Sequence, residues 1–459
     1  MPNRVLVRNG SIVSMDPTVG DLVGDLLIED GVIGAVGPDL QVDEADMEVV
    51  DASDHVVIPG FIDTHRHMYQ NLLRGLGSDW SLIQYCVAMF GTLGPNFTAT
   101  DMYLANKLAA LDALDAGVTG VFDWSHNQLT PEHTDALIEG IAATGIRAQF
   151  GYGGSMEQYA ECLAEPFRST THTNAAEVRR LRDRFPSDDG LITLGLAARG
   201  PELSVMEVVK ADWALARELN IRINSHLGQG VFPGRPALMP LLQAGLLGDD
   251  LTLGHCNLLE DEEMKVMADH GVTATVTPED ESNMGHGFPP ILRLMKAGVV
   301  PNIGVDTCVG VGGDQFTAMR FALGVPRAQA NAAQLDAGEN PWDLELSARD
   351  VLEMATIAGA RALGQADRIG SLAPGKQADL VLINAADVSM TPLLDPVAAV
   401  VHHASRSTVT DVFVAGNRVK KDGRLVGVDG AELHRSATAA AQGILERSGV
   451  KPGWKPATH

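Results

Sequence analysis

Short apolar runs alternate with helix-like stretches through the middle of the chain, and this alternation restricts the possible folds more than any other feature. The stretch at 100–117, for example, begins with a Thr, has apolar residues at helical spacing and ends at a Gly. The apolar runs lie at 56–63, 118–124, 146–152, 191–198, 221–226, 251–255, 272–277 and 299–306. Strands with helices between most of them predict a (β/α)8 barrel. A doubly wound open sheet would also alternate, but no Gly-rich phosphate loop follows the first run.

The two ends of the chain have a different pattern. Apolar and polar residues alternate there, and Asn-Gly, Asp-Gly and Gly-Asn turns break the alternation, which is typical of short antiparallel strands. We therefore expect an α/β protein in which a TIM barrel at 59–365 is joined to a small β-sandwich domain formed from both termini. The sandwich is expected to take residues 1–58 and 366–459, the latter including a C-terminal tail.

Composition excludes several classes of function. The formal net charge of −25 over 459 residues would repel phosphate backbones and disfavours nucleic-acid binding. No apolar stretch approaches the roughly 20 residues that span a bilayer, and the N-terminus has no signal-peptide pattern. The four cysteines are scattered, which favours a reducing compartment. We expect a cytoplasmic protein that acts on a small molecule, without nucleic-acid or membrane partners, and that forms a homodimer or homotetramer.

Residues of metal-ligand type follow most of the apolar runs. Barrel enzymes place their chemistry at the carboxyl ends of the strands, so these residues should meet at one rim. His65 and His67 have strand spacing and should point to the same side, where two neutral imidazoles can bind one divalent ion. Each residue alone has a structural interpretation, as a solvated strand end or a cap, but the joint pattern favours a metal site. The strand-end residues are His65, His67, His126, Arg199, His226, His255, Glu279, Asp280, Glu281 and Asp306.

Several segments of the chain match a known pattern, namely "VIPGFIDTHRH", "SH", "GHC", "GVD" and "LEMATIAGARALGQADRIGSLAPGKQADLVLI". They resemble the amidohydrolase superfamily, in its branch of cytosine deaminases, adenosine-type deaminases and triazine hydrolases. The resemblance covers nearly the whole chain. It implies a metal-bearing barrel with one Zn²⁺, or Fe²⁺ as the alternative, and it places His255 beside the attacking water. The implied metal ligands are His65, His67, His226 and Asp306. No lysine ends a middle strand where binuclear relatives carry a carboxylated lysine, which favours a mononuclear site.

The chemistry of these residues agrees with those roles. A bound divalent ion makes hydroxide available near neutral pH. Asp306 could accept the proton of the water and pass it to the leaving group, while His255 could hydrogen-bond the attacking hydroxide or the developing oxyanion.

The chain departs from this branch at the expected proton donor. Relatives that deaminate rings usually carry a glutamate three residues after the third histidine, but here Gln229 follows His226. An amide cannot donate a carboxylic proton. The loop after the seventh strand reads "TPEDESN", where relatives often have Cys-Pro-x-Ser-Asn. If this loop is extended, alternation places Glu279 and Glu281 on one side, so we expect Glu281, then Glu279, to be the relocated catalytic acid. The alternative is a solvated acidic loop.

The substrate-binding residues are less constrained by the sequence. Candidates are Gln229, His286, Arg199, His126 and Trp80, and Tyr85 and Phe90 could add aromatic walls, although core packing would also explain these aromatic residues. The loops at 79–97 and 153–172, which should choose the substrate, carry no motif.

The leading interpretation of function is deamination of an N-heterocycle, such as a purine, pterin, pyrimidine or triazine. Amide or cyclic-amide hydrolysis, dehalogenation and metal-assisted decarboxylation stay open because of Gln229. A non-catalytic binding protein is the remote alternative, which a metal-free protein would favour.

Overall fold

The computed structural model describes residues 4–161, 168–230 and 237–456. Five strands lie near the N-terminus, and Asp30-Gly31 forms the tight turn between the second and the third, as predicted. The turn predicted at Asn9-Gly10 is wrong, because this pair lies inside the first strand, where the register with the second strand shifts. The bounds of the five strands are β1 (Arg4–Val13), β2 (Asp21–Glu29), β3 (Val32–Gly37), β4 (Glu48–Asp51) and β5 (His55–Pro59).

Eight parallel strands then form a nearly closed barrel in chain order. All residues of β7 and β8 are buried, as expected of parallel strands covered on both faces, which read as continuous apolar runs. The strands are β6 (Phe61–Arg66), β7 (Val118–Ser125), β8 (Arg147–Tyr152), β9 (Ile192–Ala198), β10 (Arg222–Leu227), β11 (Leu251–His255), β12 (Thr273–Val276) and β13 (Asn302–Ile303). The predicted (β/α)8 barrel is confirmed.

Four further strands return to the terminal sheet, namely β14 (Leu380–Asn384), β15 (Val409–Val414), β16 (Asn417–Lys421) and β17 (Arg424–Leu425). β14 pairs antiparallel with β5, so both ends of the chain share one nine-stranded sheet. This sheet has its own apolar core, which includes Val7, Ile28 and Phe413. The predicted β domain from both termini is therefore confirmed, while the residue boundaries between the two domains stay a prediction.

The predicted first barrel strand, 56–63, is wrong in its extent. The run covers the end of β5 and the start of β6, which belong to different sheets. The break is at Gly60, where an added Cβ would lie 2.0 Å from Thr119 Oγ1. An apolar run has no signal for a change of sheet when the strands on both sides are buried.

The helices lie mostly between the barrel strands and cover them. In chain order they are α1 (Leu82–Cys86), α2 (Ala99–Asp115), α3 (Pro131–Ala142), α4 (Met156–Ala160), α5 (Ala175–Arg184), α6 (Met206–Glu218), α7 (Met239–Gln243), α8 (Asp261–Asp269), α9 (Pro278–Met284), α10 (Ile291–Ala297), α11 (Gln315–Asp336), α12 (Ala348–Met354), α13 (Ile357–Ala362), α14 (Pro396–His402) and α15 (Gly430–Ser448). The predicted C-terminal tail contains α15, which contacts α2 of the barrel. None of the helices in the described ranges is long and apolar enough to cross a membrane.

Backbone hydrogen bonds close the barrel at its carboxyl end. Asp306 N donates to His65 O at 2.8 Å, and His67 N donates to Asp306 O at 2.9 Å. These bonds join the segment after β13 to β6 and fix the three residues relative to one another. Arg66 lies between the two histidines and faces the other way, where its Nε donates to Asp63 Oδ2 at 2.7 Å. The strand alternation that separates Arg66 from its neighbours thus holds.

Candidate metal centre and active site

The predicted metal ligands converge at the carboxyl end of the barrel and are buried. His65 Nε2 lies 3.1 Å from His226 Nε2 and 3.8 Å from Asp306 Oδ1, and His67 Nε2 lies 3.3 Å from the same oxygen. Two unprotonated imidazole nitrogens at such a distance repel each other unless a proton or a cation lies between them. The positions of these atoms therefore fit a shared cation.

The protonation state of the histidines also fits a metal. Burial is the main cause that lowers the pKa of His65 and His226 well below the ordinary value, and it lowers the pKa of His67 to about 3. His67 Nδ1 lies 2.7 Å from Trp124 O, which can only accept a hydrogen bond, so Nδ1 carries the proton and Nε2 is left to face the centre. A neutral ring with one nitrogen held by a backbone carbonyl is the usual state of a zinc-binding histidine.

Among the described residues of the site, no lysine or arginine partners the carboxylates. Asp306 and Asp280 are buried, and burial followed by repulsion from neighbouring carboxylates raises the pKa of each well above its ordinary value. The described residues that line the cavity include neither lysine nor arginine. Because buried carboxylates are stabilised by a counter-charge or a proton, this donor set of imidazoles and carboxylates fits a divalent ion.

His255 and Glu281 form a buried pair beside this centre. His255 Nδ1 lies 3.2 Å from Glu281 Oε1, and His255 Nε2 lies 3.7 Å from Asp306 Oδ2. Thr277 N donates to Glu281 Oε1 at 2.9 Å and fixes the carboxyl group. Burial is the largest cause that raises the pKa of Glu281, to about 7. The pair can therefore hold an exchangeable proton near neutral pH.

The backbone turns sharply where the strands deliver these side chains. His255 and Cys256 have φ of 73° and 59°, and Asp306 has φ of 67°. Non-glycine residues adopt this left-handed region infrequently, and such backbone conformations occur disproportionately at functional sites. The turn after β11 allows His255 to face the centre from the end of its strand.

The expectation of an extended segment at 279–281 is wrong, because these residues lie in α9. Asp280 faces the cavity, Glu281 contacts His255, and Glu279 is partly exposed with Oε1 accepting from Gly312 N at 3.3 Å. The pattern of alternate sides does not apply to a helix. The helix has a sequence signal in Pro278 at its first turn, three acidic residues in that turn and Gly285 as its C-cap.

A cavity of about 40 Å³ opens beside the metal ligands. Three of the predicted substrate-binding residues line it, namely His126, Gln229 and His286. Tyr85 and Phe90 contribute to an aromatic wall, as considered from the sequence. Tyr159 and Asp280 also line the cavity. Tyr159 is not among the predicted site residues, and Asp280 is expected at the rim without a catalytic or substrate-binding role. Part of the loop expected to choose the substrate, 162–167, lies outside the described residues.

Two predicted substrate contacts lie elsewhere. Arg199 Nη1 donates to Ser169 Oγ at 2.6 Å and Nη2 donates to Thr171 O at 2.6 Å, so its guanidinium fixes the chain before α5. Trp80 Nε1 donates to Trp454 O at 3.2 Å, and the two indole rings pack edge to face. The position of Arg199 after a strand and the aromatic character of Trp80 are compatible with a role in the cavity and with a structural role, so the sequence does not distinguish the two.

Comparison with known proteins gives the family. Residues 56–419 match the amidohydrolase family. The chain belongs to the amidohydrolase family. The prediction of a hydrolase acting on carbon–nitrogen bonds is confirmed at the level of the family. The 5'-deoxyadenosine deaminase of Methanosarcina mazei is 26% identical over 460 residues, which cover 96% of this chain and 99% of that protein.

Solved structures agree with this assignment. An adenosine deaminase from Xanthomonas campestris with bound zinc has a TM-score of 0.82 and 26% identity, and the match covers 96% of this chain and 98% of that chain. The atrazine chlorohydrolase of Arthrobacter aurescens, complexed with zinc, has a TM-score of 0.83 and 22% identity, with coverage of 95% and 100%. The second likeness concerns the fold alone. The predicted resemblance to the deaminase and triazine hydrolase branch is confirmed.

Proposed function

We propose that this amidohydrolase removes an amino group from a small N-heterocycle by hydrolysis at a metal centre. The observation that carries the proposal is the convergence of His65, His67, His226, His255 and Asp306 at the buried end of the barrel, beside a cavity that has an aromatic wall. Flat heteroaromatic rings pack well against such walls. The similarity to deaminases of adenosine derivatives supports the same reaction.

His65, His67, His226 and Asp306 would hold one Zn²⁺, with Fe²⁺ as the alternative. A divalent ion in such a site makes hydroxide available near neutral pH. Asp306 contributes a carboxylate oxygen, Oδ2, that lies on the His255 side and can accept the proton of the attacking water.

His255 and Glu281 together supply the proton that Gln229 cannot. The pair can carry one proton more than a Glu281 carboxylate with a neutral His255 ring. His255 Nε2 is then protonated and faces Asp306, whether the shared proton lies on Glu281 or on His255 Nδ1. Nε2–H can then hydrogen-bond the developing oxyanion and donate to the leaving amine. Glu281 acts through His255, so it is a positioning residue and proton reservoir rather than a direct donor.

A second candidate reaction follows from Gln229. Its amide lines the cavity and can hydrogen-bond a substrate without protonating a ring nitrogen. Hydrolysis of an amide or cyclic amide, or removal of a halide, requires no such protonation. We keep these reactions as the second candidate.

The finer assignments are proposals of the same kind. We propose purines, adenosine derivatives, pterins, pyrimidines and triazines as the substrate classes to test. The cytoplasmic location and the homodimeric or homotetrameric state are kept as predictions, as are the roles of His126, Gln229 and His286 in substrate binding.

A substrate screen that follows ammonia release tests the proposal. The zinc-loaded full chain is incubated with each substrate class, and His65→Ala serves as the matched control. We expect ammonia from at least one class with the wild type and none with the variant. Metal-loaded protein that releases ammonia from no class, but chloride or a carboxylate from a triazine or cyclic amide, would replace deamination by the second candidate.

A further inference from the structure

A second cluster of ligand-type side chains lies beside the metal centre. Asp280 on α9, His286 in the loop after α9 and Asp306 each offer one ligand atom, and these atoms all lie within 4.8 Å of one another. Asp280 and His286 are each 1% exposed. Asp306 also belongs to the group formed with His65 and His67, so the two groups share one carboxylate.

Asp280 and His286 are close without being aligned for a hydrogen bond to each other. His286 Nε2 and Asp280 Oδ2 are 3.2 Å apart. Nevertheless both carboxylate oxygens of Asp280 and both ring nitrogens of His286 lack a hydrogen-bond partner among the described residues. Buried polar atoms are nearly always satisfied. The atoms of Asp280 and His286 approach each other but are not aligned as donor and acceptor. This is the arrangement of ligands that point at a common ion.

Charge supports a cation at that point. Asp280 and Asp306 bring two carboxylates into a buried cavity whose described lining includes no lysine or arginine. The donor set of one imidazole and two carboxylates suits divalent ions such as Zn²⁺ and Mn²⁺.

We propose that Asp280, His286 and the shared Asp306 form a second, weaker site for a divalent cation next to the metal centre. This departs from the mononuclear site that the sequence favours. That expectation rested on the lack of a carboxylated lysine, whereas the ligands here come from α9 and the loop that follows it. An ion at this site neutralises the excess carboxylate charge and offers a second point of attachment for an electron-rich atom of the substrate.

Metal stoichiometry tests the proposal directly. The full chain, without an affinity tag, is stripped with a chelator and dialysed against rising concentrations of free Zn²⁺, and bound zinc is measured by mass spectrometry. We expect two equivalents per chain in the wild type, the second released at a higher free Zn²⁺ concentration than the first. Asp280→Asn and His286→Gln should each lose one equivalent and retain the other. Saturation of the wild type at one equivalent would overturn the proposal.

A matched variant and a second probe complete the test. Glu279→Gln removes a neighbouring acid whose contact is with Gly312, so it should retain two equivalents. If it loses the second equivalent as Asp280→Asn does, the site is not the one proposed. In Mn²⁺-loaded wild type, the shared Asp306 should produce an exchange-coupled paramagnetic resonance spectrum. Spectra of isolated ions alone would overturn the shared ligand, even if the variants fail to fold.

The outcome is separable from that of the proposed reaction. Ammonia release with one zinc per chain would contradict the second site and support the proposed deamination. Two zinc ions per chain without ammonia release would support the second site and count against deamination.

Discussion

The histidine side of the cavity and its acidic side are built in different ways. His65 lies on β6 and His67 directly follows this strand, and backbone bonds of the barrel closure join both to Asp306. Asp280 and Glu281 are carried by the short helix α9, and each has a different environment although they are adjacent in sequence. Strand alternation and barrel closure determine where a strand-end ligand points. On a short helix, the residue at which the helix begins determines which side chains face the cavity.

The largest effect should come from the histidine side. His65→Ala removes a nitrogen that lies 3.1 Å from His226 Nε2 and 3.8 Å from Asp306 Oδ1, so bound metal and turnover should both be lost. Far-UV circular dichroism should change little, because the His65 ring packs among the other histidines of the site. His126→Ala, next to His67 in the same cavity, is the control and should retain the metal. Full metal occupancy in His65→Ala would contradict the assignment.

A smaller loss of turnover is expected at His255, which lies between the histidine side and the acidic side. His255→Ala should keep the first metal equivalent, since the other ligands remain, but lower kcat by about 10²–10⁴-fold, the range for a lost acid–base group. Metal content and steady-state kinetics measure the two effects separately. Wild-type turnover in this variant would show that the proton comes from another group.

Glu281→Gln should cost less again, about 10–100-fold in kcat, as for other residues that orient a catalytic side chain. The pKa of Glu281 is raised to about 7, so the protonated donor form is present below that pH and is lost as the pH rises through it. Wild-type kcat should therefore fall on the alkaline side, and the variant should lack that limb. An unchanged pH profile together with unchanged kcat would leave Glu281 with a structural role only.

The smallest effect on catalysis is expected for Trp80→Phe. The indole contacts Trp454 instead of the cavity, so kcat and KM should equal those of the wild type. Loss of its hydrogen bond should lower the free energy of unfolding by roughly 0.5–1.5 kcal/mol. Denaturant unfolding measures this change, and Tyr85→Ala, which alters the aromatic wall, is the comparison that should raise KM. A raised KM in Trp80→Phe would show instead that Trp80 contributes to substrate binding.

The sequence was sufficient for the features that depend on periodicity. Alternating runs predicted the barrel and the β domain from both termini, and the two-residue spacing of His65 and His67 placed them together. It was insufficient where several local structures suit the same residues. An extended "PEDES" predicts Glu279 rather than Asp280 on the side of Glu281, whereas the segment is helical and Asp280 lines the cavity. Arg199 also ends a strand, yet its polar contacts are with the chain at 169–171.

Anomalous diffraction at the zinc edge, from crystals of the zinc-loaded chain, tests the central claim most directly. The strongest peak should lie about 2.0–2.2 Å from Nε2 of His65, His67 and His226 and from an Asp306 oxygen, the distances of zinc to nitrogen and oxygen ligands. A strongest peak at any other side chains, or none within the barrel, would contradict the metal centre on which the proposed reaction depends.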